Sequence, residues 1–358
     1  MTAMDFELTA EQALLRDTTR DLLAMHPARD GASLDVWHQL ADVGVLGLTF
    51  GEDDGGAGAG PVEVHVVMTE IGRALAPAPL IDTILAPGAL VSAAATAEQR
   101  KRLLPDVATG DRMLAFAHAP TMPATATAHG NTWTLDGHQL PVPSGDLADD
   151  LVVSAALPGG GTGLFLVDAG AIARQPYRTF DGRSGARIDL QTTPAEPLGD
   201  PTDASVHIGA ATVYSQAALC AEACGAMAEV LRLTTEYLKA RKQFGVPLSS
   251  FQALTQRAAD MYISLELARS MSLYATMSLA DGTVDPVVAS RAKLQIGRAA
   301  RHIAQESIQL HGGIGLTDEY PAGHYAARLT AIEHTLGSTD DHLRILTAYT
   351  KEYPRVEL

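Results

Sequence analysis

Apolar residues recur every three or four positions at the start of this chain, at shorter spacing in its middle, and every three or four again to its end. Helical spacing runs through residues 9–25, where Thr9 followed by Glu11 and Gln12 reads as a helix start, the threonine oxygen accepting a first-turn amide. A second helix fits residues 34–43, with Trp37 and Leu40 on one face and Gly44 as its stop. Helices are also expected over residues 62–75, 81–94 and 97–105. Pro87 should kink or interrupt the second of these, and Pro105 should end the third. The glycine-rich stretch Gly51–Gly58 lacks the strand-then-helix setting of a nucleotide fingerprint and reads as a turn.

From about residue 113 the pattern changes to short β-type runs, among them Thr132–Leu135, Leu151–Ser154 and Gly163–Val167, broken by Gly, Pro and Asp. Asp136-Gly137 is a hairpin signal, because both residues tolerate positive φ, and residues 157–161 read as a turn. Helical spacing resumes near Ile208, over residues 209–239, 252–280, 286–311 and 340–351. Helices that long, with mixed apolar faces, suit a bundle that also buries surface against a partner. The fold expected is α+β: an N-terminal helical domain (1–112), a small antiparallel β barrel or sandwich (113–206) and a C-terminal helical bundle (207–358).

Composition narrows the function classes. At 358 residues, 46% hydrophobic and 19% charged, the chain has material for two or three packed domains. A net charge of -16 without a basic cluster argues against nucleic acid, and any anionic ligand needs a local positive site. Cys220 and Cys224, in an Ala-rich helical run, read as one buried face, with neither a disulfide nor a metal site. No basic, apolar leader opens the chain at Met1–Glu7 and no apolar run reaches membrane-spanning length, so a cytoplasmic protein is expected.

Two stretches carry candidate chemistry: Arg241-Lys242-Gln243-Phe244-Gly245 with Phe251-Gln252, and Gln309-Leu310-His311-Gly312-Gly313-Ile314-Gly315 running on towards Gly337-Ser338-Thr339. Singly, each has a plainer use: Arg241 at a helix C-terminus, Phe244 in a core, Gly312-Gly313 as a helix stop. Together they offer a guanidinium fork, an aromatic face, side-chain amides and bare backbone, a set that suits a planar, phosphate-bearing cofactor.

With these motifs, the α–β–α order, the Trp37 helix ahead of a glycine-rich loop, Glu70-Ile71-Gly72, and Leu104-Pro105 with Gly110, the chain resembles the acyl-CoA dehydrogenase family over nearly its whole length. The resemblance implies FAD bound across a subunit interface. Arg241, Gln243, Phe244, Gln252, Gln309, Gly312 and Gly313 would hold its ADP half, while the flavin ring lies in a neighbouring subunit's cleft.

The family's catalytic glutamate would stand at Leu336, which cannot accept a proton. The alternative base position at the start of the first bundle helix falls in Val213-Tyr214-Ser215-Gln216, again without a carboxylate. Glu333, one turn before Leu336, is a weak substitute that is better read as a solvated or salt-bridged acid, and His334 reads as structural. The β segments that line the flavin ring in the family read Ala117–Thr125 and Gln139–Gly145 here. Pro141 and Pro143 stand where a tryptophan and a threonine are usual, and proline has neither an N–H nor a hydroxyl to offer.

The chain therefore looks like the non-catalytic β subunit of the α2β2 steroid acyl-CoA dehydrogenases of actinobacteria. It would contribute no base and would complete the FAD site with a catalytic partner. Acyl-CoA would be the substrate and an electron-transfer flavoprotein or similar acceptor the electron sink. A self-sufficient flavoprotein of the same fold with other chemistry, and a flavin-free structural paralogue, stay open at this point.

Overall fold

A computed structural model describes residues 7–25 and 34–350; all but Glu7 of the stretch read at Met1–Glu7, and the helix end expected at Lys351, lie outside them. Helix α1 (Ala10–Ala24) begins in a capping box. Thr9 Oγ1 accepts from Gln12 N–H at 3.2 Å and Gln12 Oε1 accepts from Thr9 N–H at 3.0 Å. Helix α2 (Leu34–Asp42) buries Trp37 and Leu40, and Gly44 leaves it in the left-handed region at φ 78°. In the glycine-rich loop the N–H groups of Gly56, Ala57, Gly58 and Ala59 donate to carbonyls of Gly51, Gly47, Phe50 and Leu48. Those amides are engaged within the chain, as a packed turn requires, and are not left to cradle a phosphate.

Helix α3 (Pro61–Ala74) is followed by a π-turn (Ile81–Leu85) that runs into α4 (Ala86–Ala94). Pro87 falls in the first turn of α4, where its missing N–H costs least. Pro105, expected to end its helix, does not: α5 runs on over Ala97–Ala108 with Pro105 inside it. Burial of Leu103, Leu104, Val107 and Ala108 offsets the lost hydrogen bond, and the freed carbonyl belongs to the exposed Lys101.

The middle of the chain is a seven-stranded sheet: β1 (Leu114–Ala117), β2 (Ala124–His129), β3 (Thr132–Pro143), β4 (Asp150–Ala156), β5 (Thr162–Asp168), β6 (Ala173–Arg178) and β7 (Ser184–Pro197). Its pairings close in the circuit β4–β2–β3–β7–β5–β4, a barrel with β1 beside β4 and β6 beside β7. Most pairs are antiparallel, but β1 and β2 both run parallel to β4. The hairpin expected at Asp136-Gly137 lies elsewhere. The β2–β3 turn is at Gly130-Asn131, whereas Asp136 and Gly137 sit inside β3 at a register shift between Leu135 and Gly137. A Cβ on Gly137 would lie 3.2 Å from Ala124 Cα, so the glycine serves a close strand approach at a bulge.

The bundle comprises α6 (Ser205–Ala240), α7 (Gln252–Ala280), α8 (Pro286–His311), α9 (Ala322–His334) and α10 (Thr339–Tyr349). Helix α9 is missing from the sequence reading, although it buries Ala322, Tyr325, Leu329 and Ile332 at helical spacing. Helices α3 and α6 cross backbone to backbone: a Cβ on Gly72 would sit 1.9 Å from Glu222 O, and one on Gly225 1.9 Å from Thr69 O. Cys220 and Cys224 are free and buried, and burial pushes both thiols up to about 12.

A buried ionic cluster ties barrel to bundle. From α9, Arg328 Nε and Nη2 donate to the two Glu222 oxygens at 2.8 and 2.9 Å, and Nη1 donates to Asp181 Oδ2 at 2.9 Å. Arg183 Nη2 reaches Glu222 Oε1 at 2.7 Å. Asp181 and Arg183 lie in the turn between β6 and β7. Burial alone would raise the Glu222 pKa, but the two guanidiniums hold it below the usual carboxylate range.

Candidate functional site

Helix α6 ends with Arg241, whose N–H donates to Tyr237 O at 2.8 Å before the backbone turns extended. The chain then makes a two-stranded hairpin, β8 (Lys242–Gln243) and β9 (Val246–Pro247), with Phe244 at φ 54° and Gly245 at φ 83° in its turn. That turn holds the Phe244 ring 92% exposed, edge-on to Phe251 at 6.1 Å. The Arg241 guanidinium is exposed and has no side-chain partner among the described residues. Gln243 Nε2 donates to Lys242 O at 2.7 Å, and Gln252, the first residue of α7, is exposed.

Helix α8 stops where Gly312 takes φ 65° and ψ −144°, followed by a 3-10 turn (Gly312–Leu316). The backbone demands glycine at 312. Nothing in the chain demands it at 313, where a Cβ would meet no atom within 4 Å, so Gly313 leaves open backbone at the surface. Gln309, Gly312 and Gly313 are all exposed. An aromatic cluster sets the ends of α6 and α8 side by side: Tyr237 lies 4.7 Å from His311 and 6.0 Å from Tyr320, and His311 lies 4.7 Å from Tyr320. Tyr237 is one turn before Arg241, and His311 directly precedes Gly312. His311 Nδ1–H donates to Ser307 O at 2.7 Å, and burial pushes the ring's pKa down. The sequence reading did not single out His311 or Tyr237, although both fix where the motif residues stand. This end of the bundle thus presents a free guanidinium, an exposed ring, three amide side chains and bare backbone, which fits an anionic, planar cofactor half.

The Leu336 turn lies between α9 and α10. Leu336 itself has φ 57°, and its carbonyl accepts from Gln216 Nε2 at 3.0 Å and His342 Nε2 at 3.1 Å. Gly337, at φ 101°, could not carry a Cβ, which would come 2.7 Å from His342 Nε2. Ser338 caps α10. Its hydroxyl accepts from Asp341 N–H at 3.2 Å, and Asp341 Oδ2 accepts from Ser338 N–H at 3.0 Å and from Ser338 Oγ, which hold the Asp341 pKa down to about 2.

Glu333 is 4% exposed and engaged on three sides. It pairs with Arg301 at 3.0 Å, with His334 at 2.8 Å and with Thr339 N–H at 3.2 Å. Burial would raise its pKa, but hydrogen bonding from Thr339 and the charges of His334 and Arg301 hold it low, so it is a poor proton acceptor. Below the turn, Lys293 is buried with Nζ donating to Ile332 O at 2.7 Å, and desolvation pushes it down to about 8. Sequence reasoning missed it because a lysine on a helix is ordinarily a surface residue; its spacing from Ala289, Ala292 and Ile296 is the available signal.

On the barrel, Pro141 and Pro143 are exposed, and the β3–β7 register is irregular between Gln139 and Val142. His118 was likewise not singled out. It bonds Ser154 Oγ through Nδ1 at 2.8 Å and stacks on Phe116 at 5.2 Å.

Known proteins share this architecture. The model of the acyl-CoA dehydrogenase N-terminal domain matches residues 9–111 and that of the C-terminal domain residues 209–349. The acyl-CoA dehydrogenase IpdE2 of Mycobacterium tuberculosis is 34% identical over 356 residues, covering 96% of this chain and 98% of its own. A solved steroid ACAD, Tcur3481–Tcur3483, is 32% identical with a TM-score of 0.87, covering 96% of this chain and 98% of that one. The ChsE4–ChsE5 complex of Mycobacterium tuberculosis is 25% identical with a TM-score of 0.89, covering 98% of this chain and 100% of that one. Matched over almost its full length, in sequence as in fold, the chain belongs to the acyl-CoA dehydrogenase family of FAD-dependent oxidoreductases acting on CH–CH bonds.

Proposed function

We propose that this chain is the non-catalytic subunit of a heteromeric acyl-CoA dehydrogenase. One contrast carries the reading. Arg241, Phe244, Gln252, Gln309, Gly312 and Gly313 stand exposed at one end of the bundle, while Leu336 occupies the base position and Glu333 is tied to Arg301, His334 and Thr339. With Gln243, those exposed residues would hold the ADP half of an FAD whose ring lies in a catalytic partner's cleft. Arg241 would fork onto the pyrophosphate and Phe244 would pack on a ring face. Bound FAD supplies the hydride acceptor for α,β-dehydrogenation of an acyl-CoA thioester, and the partner's base supplies the proton acceptor this chain lacks.

The similarity to a steroid ACAD and to a two-component complex supports a bulky, steroid-derived acyl group and an α2β2 assembly. Electrons would leave through an electron-transfer flavoprotein or similar acceptor, in the cytoplasm. Among the described residues, no helix is long and apolar enough to cross a membrane.

Co-expression with a family member carrying the missing glutamate tests the reading. The pair should purify together, yellow and active, and this chain alone should show no turnover. A yellow homo-oligomer with turnover of its own, or a pair without flavin, overturns it. In the pair, Arg241→Ala removes charge-assisted bonds worth about 1.5–3 kcal/mol, so FAD should bind roughly tenfold to a hundredfold more weakly.

A further inference from the structure

A cavity of about 390 Å³ opens between α3, α4, α6 and α7, lined by His65, Tyr214, Ala217, Ala218, Thr276 and Leu279 among others. It is separate from the Leu336 turn, although Tyr214 of the alternative base segment is in its wall. Tyr214, Ala217 and Ala218 share one face of α6 at i, i+3 and i+4, whereas Gln216, which holds the Leu336 carbonyl, projects from another. No Asp, Glu, Lys or Arg lines it, in a chain with a net charge of -16. That lining excludes a phosphorylated or carboxylate ligand, for which nothing would compensate the buried charge.

Its one imidazole is His65, set among the hydroxyl side chains of Thr49, Ser92, Tyr214 and Thr276. Thr276 Oγ1 donates to Ser272 O at 3.0 Å, so the 3.1 Å contact between His65 Nδ1 and Thr276 Oγ1 is donated by the imidazole. This assigns the neutral tautomer with Nε2 as a lone-pair acceptor, and Nε2 has no partner among the described residues. Burial pushes the ring's pKa down to about 4, which keeps it neutral at physiological pH. An accessible acceptor on a half-buried ring, in a mostly apolar cavity many times the roughly 30 Å³ share of one water, suits a donor carried on an apolar body.

We infer that this cavity binds an uncharged, largely apolar molecule whose hydroxyl donates to His65 Nε2. The site belongs to this chain alone and does not depend on the flavin assignment.

The test uses the purified full chain and three probes: 2-naphthol, 2-methoxynaphthalene and naphthalene-2-sulfonate, titrated by fluorescence and equilibrium dialysis. 2-Naphthol should bind saturably and about tenfold tighter than its methyl ether, the ratio that one neutral hydrogen bond supplies, and the sulfonate should not bind. His65→Phe keeps a ring but removes the acceptor, and should bring the ratio to about one. Ala93→Trp, at the exposed rim, should weaken both neutral probes at least tenfold, with circular dichroism confirming the fold of each variant. Absence of saturable naphthol binding, equal affinity for the ether, comparable sulfonate binding, or indifference to Ala93→Trp would each overturn the assignment.

Discussion

Replacing Arg328 by methionine should loosen the barrel from the bundle. The side chain is 9% exposed and gives three hydrogen bonds, two to Glu222 and one to Asp181, whose carboxyl side chains are each 2% exposed. Methionine fills much of the volume, so the loss is electrostatic. Glu222 keeps Arg183 at 2.7 Å, while Asp181 keeps only its hydrogen bond from Thr179 and loses its ion-pair partner. Breaking a buried pair by removing one partner costs about 3–5 kcal/mol. Arg183 shields Glu222 in part, which places the expected loss near the lower end, about 3 kcal/mol.

The pH dependence follows. Glu222 has a depressed folded pKa, so its contribution is present above the usual carboxylate range and is lost as pH falls through the folded value. With Arg328 gone the depression shrinks, and less stability remains to be lost on acidification. Guanidinium unfolding, followed at Trp133 of the barrel in a Trp37→Phe background and by helical circular dichroism, measures both effects. Those two tryptophans are the only ones in the chain. Arg328→Met should lower the midpoint and bring the Trp133 transition ahead of the helical one. A loss under about 1 kcal/mol would refute the view that this cluster is what couples barrel to bundle.

Gly225→Ala would drive a Cβ to 1.9 Å from Thr69 O at the α3–α6 crossing, so it should cost at least about 3 kcal/mol and leave little soluble protein on expression. His65, shifted from 6.5 to about 4, favours the folded state in its neutral form. That stability is full above pH 6.5 and falls by about 3 kcal/mol as pH drops to 4; His65→Phe should flatten the urea stability profile over that window. Cys220 and Cys224, with thiols near 12, should resist a disulfide-exchange reagent at pH 8 until the chain is unfolded, which a colorimetric thiol assay reads directly.

Where local pattern and tertiary environment agree, the sequence reading and the structure coincide. Thr9 followed by Gln12, Pro87 at the head of α4, and the apolar runs in β4 and β5 are such cases. Where they part, packing overrides a local signal. Pro105 stays within α5 because the residues around it are buried, and Asp136-Gly137 is drawn into a bulge because β3 must pass close to β2. Helix α9 is illegible for another reason: its polar residues include Arg328 and Glu333, which look like surface charges until the buried Glu222 and Asp181 claim the first and the second is itself buried beneath Arg301 and His334. The motif residues were legible as a set, but no sequence pattern announced the Tyr237–His311–Tyr320 cluster that brings the ends of α6 and α8 together.

Leu336→Glu separates loss of a side chain from loss of a site. The turn already holds its left-handed backbone through Gln216 and His342, so leucine and glutamate bear the same conformational cost. What changes is the partly buried side chain, packed on the core beside a turn underlain by Lys293. Losing that apolar contact should destabilise the chain by about 1–2 kcal/mol. On the proposed reading, a carboxylate there would stand at the family's base position. On that reading it would not restore a ring site, since Pro141 and Pro143 have neither an N–H nor a hydroxyl to offer a flavin edge. The variant alone should therefore fold, lose a few degrees of thermal stability and still not reduce an electron acceptor with any acyl-CoA offered. Turnover from that one substitution would show that the ring site survives in this chain, and would move it from the partner role to that of a disabled enzyme.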